Sequence, residues 1–164
     1  MPGILQTQQY AEQMIRIDDP DATAQQIERW VSIRMTRQHL LAQEQPPGLE
    51  LLLDEATLRR AVGGRDVMRG QLQRLLAEAE KPNMDIRVLP FSAGEYPGPK
   101  SSFMLVKMPD PLPEVVSIDS AAGNVFLESE NVTEFNTVYA RLQDMCLDAT
   151  DSIAVIAAVE KDLP

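Results

Sequence analysis

The chain has 164 residues, 44% apolar and 24% charged, with 15 basic against 25 acidic side chains and a formal net charge of −10. That size and composition suit a folded domain with a real core and exclude a disordered chain. The negative balance argues against duplex DNA or an anionic membrane as a partner of this chain alone, because both attract Lys and Arg to phosphates.

In chain order, residues 3 to 17 read as a short helix after a turn at Pro2-Gly3, with Ile4, Leu5, Tyr10, Met14 and Ile17 on one apolar face. Asp18-Asp19-Pro20-Asp21 breaks it. A long helix is expected from Ala22 to Gln43. Ile27, Trp30, Val31, Arg34, Met35, Gln38 and Leu41 follow one stripe, and Ile33, Arg37 and Leu40 a second. Two apolar faces on one helix imply burial between layers or a dimer contact. Pro46-Pro47-Gly48 ends that segment. Leu49 to Leu53 reads as a buried strand, and Asp54 caps a short helix running to Ala61. Gly63-Gly64 is a joint that needs unusual backbone angles. It is not a phosphate loop, which would end in Lys-Ser or Lys-Thr. A second helix from Asp66 to Glu80 buries Met68, Leu72, Leu75, Leu76 and Ala79, and Asp85 to Leu89 forms a second strand. Strand, helices and strand at this spacing predict a parallel pair.

The pattern then changes. Ser92 to Ser101 is a loop. Phe103 to Met108, Val115 to Asp119 and Val125 to Glu128 are strands of an antiparallel meander, the last two joined by a turn over Ala121-Ala122-Gly123-Asn124. Asn131 and Glu134 form a capping pair for a helix whose stripe is Val132, Phe135, Val138, Tyr139, Leu142 and Cys146. A last helix runs from Ser152 to Lys161. The expected class is α+β: a parallel strand pair with a helical crossover, then an antiparallel meander, flanked by N- and C-terminal helices, in one domain over 1–164.

Chemically active side chains are sparse. His39 is the single histidine and Cys146 the single cysteine. An intrachain disulfide is therefore ruled out, and no zinc site or nucleophilic triad is signalled. Cys146 reads as a buried inert thiol and His39 as a surface or helix-end residue. No cofactor motif is present. No apolar run is long enough to span a bilayer and no leader pattern opens the chain, so a cytoplasmic location is expected. The strongest candidates are Asp54 and Glu55, at the end of a buried strand where ligands gather in sheets with parallel strands. Either carboxylate can receive a proton or hold an amine, and Arg59 can bind a carboxylate or phosphate bidentately. The structural alternative is a helix cap at Asp54 and an i, i+4 surface pair of Glu55 with Arg59. Phe91 and Tyr96, from the loop after the second strand, complete the candidate ligand site, with that loop as a gate.

Several stretches carry a family resemblance. Pro2-Gly3-Ile4-Leu5-Gln6-Thr7 with Tyr10-Ala11 resembles an opening "PGLLQT…YA". Leu53-Asp54-Glu55-Ala56-Thr57-Leu58-Arg59-Arg60, then Val62-Gly63-Gly64 and Val67-Met68, resembles a central "LDEAALRR-VGG-VM". Pro82-Asn83 and Val88-Leu89-Pro90-Phe91-Ser92-Ala93-Gly94 resemble "PNV-VQVLPFSAG". Phe103 with Leu105, and Phe126-Leu127-Glu128, follow the later strands. The chain thereby resembles the C-terminal domain of unknown function of actinobacterial XRE-type helix-turn-helix regulators. Ser117-Ile118-Asp119 departs from that family's aromatic-plus-acid pattern, and Glu95 to Lys100 from its Gly-rich loop. No helix-turn-helix precedes Pro2, so the sequence is either a piece of a longer regulator or a stand-alone relative.

The resemblance implies a sensor or effector module of specialised metabolism or development. Its partner would be a small-molecule ligand or a small partner protein, with a possible homodimer through the long early helix. The alternative is a cofactor-free enzyme of cyclase or isomerase type built on the same fold, with Asp54 or Glu55 as acid or base.

Overall fold

A computed structural model of the chain describes residues 1–96, 101–120, 123–128 and 130–163. They form two compact units, Met1–Phe91 with Leu147–Pro164, and Ser92–Cys146. The architecture is the α+β arrangement expected: a parallel strand pair with helices between, a separate antiparallel three-stranded sheet, and helices at both ends.

In the first unit the opening segment is not one helix. A 3₁₀ turn, Gly3–Leu5, is followed by extended Gln6, and helix α1 (Gln8–Asp18) starts afresh behind Thr7, whose hydroxyl accepts the Tyr10 N–H. The break re-phases the helix: Tyr10, Ala11 and Ile15 are buried, while Ile17, placed on the apolar face by sequence, is 61% exposed. Helix α2 (Ala24–Arg37) opens with a full capping box of Thr23 and Gln26 and gives way to a 3₁₀ segment, Gln38–Ala42, in place of a continuous helix to Gln43. Ile15, Ile27 and Val31 form a small core between α1 and α2.

Strand β1 (Leu49–Asp54) leads into helix α3 (Glu55–Arg59), the joint at Gly63-Gly64, helix α4 (Arg65–Ala79) and strand β2 (Met84–Leu89). The strands run parallel in register from Leu49↔Met84 to Asp54↔Leu89. Leu53, Leu58, Met68, Leu72, Leu75, Ile86 and Val88 make the main core, completed by Ile156, Val159 and Leu163 from the C-terminal segment. A two-stranded sheet leaves outer backbone groups to satisfy. At Val88 the C-terminal segment does so: the Leu147 N–H donates to the Val88 carbonyl at 2.9 Å, and the Ser152 hydroxyl accepts the Val88 N–H at 2.9 Å. Ser152 lies in the last helix of the chain, Ala149–Asp162, which starts three residues before the expected Ser152 behind an Asp148 cap.

The joint needs glycine for the reason expected. Gly63 and Gly64 have φ of +70° and +86°. A Cβ at Gly63 would also lie 2.6 Å from the Gln13 side chain and 2.9 Å from Val67, whereas one at Gly64 would meet nothing within 4 Å. Gly63→Ala is therefore expected to cost about 1–2 kcal/mol in strain and displacement, and Gly64→Ala about as much through its backbone alone, since φ +86° with ψ −179° is a region essentially confined to glycine. Urea denaturation of the two variants checks this; a loss below about 0.5 kcal/mol at either position would remove that position's part of the argument.

In the second unit, strands β3 (Phe103–Val106), β4 (Val115–Ser120) and β5 (Gly123–Glu128) pair antiparallel in that order. β3 stops at Val106, two residues short of the expected Met108. Residues 121 and 122 of the expected turn lie outside the described residues. Helix α5 (Glu130–Met145) packs on the sheet, with Phe135 edge-on to Phe103 at a ring separation of 5.0 Å. α5 begins before Asn131, so that residue sits inside the helix and not at its cap. The predicted stripe does face inward, Val132 buried and its companions half-buried, but Cys146 is only half-buried where full burial was expected. The final helix, Ala149–Asp162, is α6.

Candidate functional site

Because β1 and β2 are parallel, both carboxyl ends fall at one edge of the first unit, with Asp54 opposite Leu89. Asp54 ends β1 and caps α3, its Oδ1 accepting the Ala56 N–H at 2.7 Å. Glu55 opens α3 and is 8% exposed. Its Oε1 accepts from Arg59 Nε at 2.7 Å and its Oε2 from the Phe91 backbone N–H at 2.8 Å. One carboxylate thus fastens the first turn of α3 to the residue just beyond β2, 36 positions away in sequence.

The electrostatics follow from those contacts. The Phe91 N–H, followed by the Arg59 hydrogen bond and charge, stabilises the ionised form and holds the Glu55 carboxyl below its ordinary range, against the opposing effects of burial and of neighbouring Asp54. Glu55 is therefore an ionised acceptor with both oxygens engaged. Arg59 is half exposed and Phe91 is 59% exposed, so a cation and an aromatic ring reach solvent beside the buried carboxylate. Such a pair can hold an anionic or planar group.

Four of the five residues singled out by sequence, Asp54, Glu55, Arg59 and Phe91, therefore meet at one strand edge. Tyr96 is half exposed and belongs to the second unit, and Pro97 to Lys100 of the expected gate lie outside the described residues.

A second concavity had no signal in the sequence beyond helical spacing. It is a cleft of about 510 Å³ between α1 and α2, with Ile27, Val31 and Met35 as its floor and Gln8, Glu12 and Arg16 on its rim. The rim is mostly exposed, and Glu12 pairs with Arg16 at 2.8 Å. No buried polar group there fixes an orientation, which is what a specific small-molecule site needs, so the cleft carries no ligand assignment.

A family model described as a domain of unknown function, DUF5753, matches residues 1–158. The chain belongs to the DUF5753 family. No curated protein and no solved structure matches it. The DUF5753 match takes in both units, including the whole strand edge from Asp54 to Phe91. Among the described residues no group of three or more His, Cys, Asp or Glu side chains is placed to hold a metal ion, and no helix is long and apolar enough to cross a membrane. His39 is exposed, in the 3₁₀ segment after α2.

Proposed function

We propose that this DUF5753 chain is a cytoplasmic, non-catalytic sensor or effector module, kin to the C-terminal domains of actinobacterial XRE-type regulators of development or specialised metabolism. In this role residues 1–164 act as one functional module. The module takes up a small molecule or a small partner protein and relays its state to DNA-reading machinery. One observation carries the choice of sensor over enzyme: both oxygens of Glu55, the best-placed acid, are committed to fixed donors. A general base works best with a pKa near the working pH, and a carboxyl held below its ordinary range is a weak one. A carboxylate already bonded to Arg59 and to the Phe91 N–H instead sets the shape of the strand edge, with Arg59 and Phe91 as its outward contacts.

The test is untargeted mass spectrometry of an actinobacterial metabolite extract incubated with the chain, with Glu55→Gln as comparison. The expected result is no protein-dependent consumption of any metabolite, with any retained compound released at unchanged mass and unchanged chromatographic retention, which an isomer would not share. A metabolite that disappears with the wild type and persists with Glu55→Gln, at matched folded fraction, would establish the cyclase or isomerase alternative instead.

A further inference from the structure

We propose that the outer face of α2 is the docking surface for an acidic amphipathic helix of a partner protein. The inference deepens the sensor reading by naming a partner chemistry and where it sits. Trp30 is 54% exposed and Ile33 36% exposed, one helical turn apart on a face beside the Ile27–Val31 core stripe. In the 3₁₀ segment that follows, three residues make a turn, which stacks Leu40, 43% exposed, over Arg37 on the same side. Isolated exposed apolar side chains are ordinary, but a Trp–Ile–Leu row along one face marks an interaction surface.

Charge selects the occupant. α2 carries three arginines against the single Glu28, within a chain of net charge −10. Arg34 is engaged with Gln6, at 2.7 Å. Arg29 and Arg37 flank Ile33 at i, i+4 spacing, are exposed, and have no partner among the described residues. A second copy is the weaker occupant, because its α2 would bring three arginines and the single Glu28 to the contact where the two exposed arginines need acidic partners. Duplex DNA is disfavoured by the apolar centre and by a patch with only two unengaged arginines to set against phosphates. A helix with leucine-like side chains in its middle and Glu or Asp along its margins satisfies both the apolar row and the two arginines. Tryptophan and arginine are also the side chains that dominate such contacts.

Trp30 is the only tryptophan in the chain, so its fluorescence reports this surface alone. The probe is a synthetic amphipathic helix of about 18 residues with leucines on one face and glutamates beside them, set against the same peptide with lysines for glutamates. The glutamate peptide is expected to bind saturably, shift Trp30 emission to the blue, shield it from acrylamide and weaken with salt. The double variant Arg29→Glu/Arg37→Glu, altered only at exposed positions, should keep the wild-type melting temperature and bind roughly tenfold more weakly. Equal binding of the lysine peptide would overturn the proposal. So would a concentration-dependent blue shift of the chain alone, saturable binding of duplex DNA, or no binding up to about 1 mM peptide. None of these results bears on metabolite consumption, so the docking surface can fail while the non-catalytic reading stands.

Discussion

Gln71→Leu is expected to lower stability by roughly 2–4 kcal/mol, because it leaves two backbone groups without partners at about 1–3 kcal/mol each. Gln71 sits in the middle of α4 and has no solvent exposure. Its Oε1 accepts the Thr7 N–H and its Nε2 donates to the Leu5 carbonyl, both at 2.8 Å. Those are the backbone groups released where the 3₁₀ turn ends and α1 begins, so one side chain satisfies the break in the opening segment. Leucine fills the space but offers neither a donor nor an acceptor. Guanidinium denaturation measures the loss, and amide exchange should show Thr7 deprotected before the α4 core. A loss below about 0.5 kcal/mol would mean that water or a shifted backbone replaces the amide.

Glu55→Gln tests the strand-edge clasp, and its effect depends on pH in a defined direction. At pH 7 the loss is expected to be about 2 kcal/mol, the scale for hydrogen bonds to a charged group. Most of it belongs to the part-buried Phe91 bond, since Arg59 is half exposed and such pairs contribute little. The folded-state carboxyl titrates below its ordinary value of 4.5. The folded state thus binds the proton less readily than the unfolded chain. The stabilisation from ionised Glu55 is complete above the unfolded value and is lost as pH falls through the lower folded value. The gap between wild type and Glu55→Gln should therefore be constant from pH 7 down to about 5 and close below about 4.5. Taking the difference between the two proteins removes the other acidic groups, which titrate in both. A gap that stays open in acid would show that the glutamate acts through shape alone.

Legibility from sequence followed the distance over which each feature is determined. The two parallel strands, the Asp54 cap and the Gly63-Gly64 joint rest on local composition, and the structure contains all three. The meander strands were found with shifted ends, because neighbours in the sheet set where Val106 stops pairing and short apolar runs do not. The opening helix was misread because Gln6 and Thr7 fit a helical stripe equally well. What breaks the helix is Gln71, 64 residues from Thr7, and a glutamine on a helix ordinarily reads as surface. At the strand edge, the i, i+4 pairing of Glu55 with Arg59 was visible from spacing. The bond from Glu55 to the Phe91 N–H was not, since a backbone donor leaves no trace in residue identity. The second stripe, Ile33, Arg37 and Leu40, was visible as a periodicity, but only the exposures show that Ile33 and Leu40 face solvent and that Trp30, placed on the first stripe by spacing, does so too.

The way the first unit is assembled constrains how the protein comes off the ribosome. Synthesis delivers residues 1–91 before Ile156, Val159 and Leu163 of the same core, which emerge only after all of Ser92–Cys146. Until then Leu72 and Leu75 lack part of their cover, and the outer edge of β2 has neither the Leu147 amide nor the Ser152 hydroxyl to occupy it. A nascent chain in that state displays an unpaired strand edge beside open apolar surface, the combination that recruits chaperones and seeds aggregation. The first unit can therefore close only once residues 147–163 have been made, and slower growth or added chaperone during expression should raise the soluble yield.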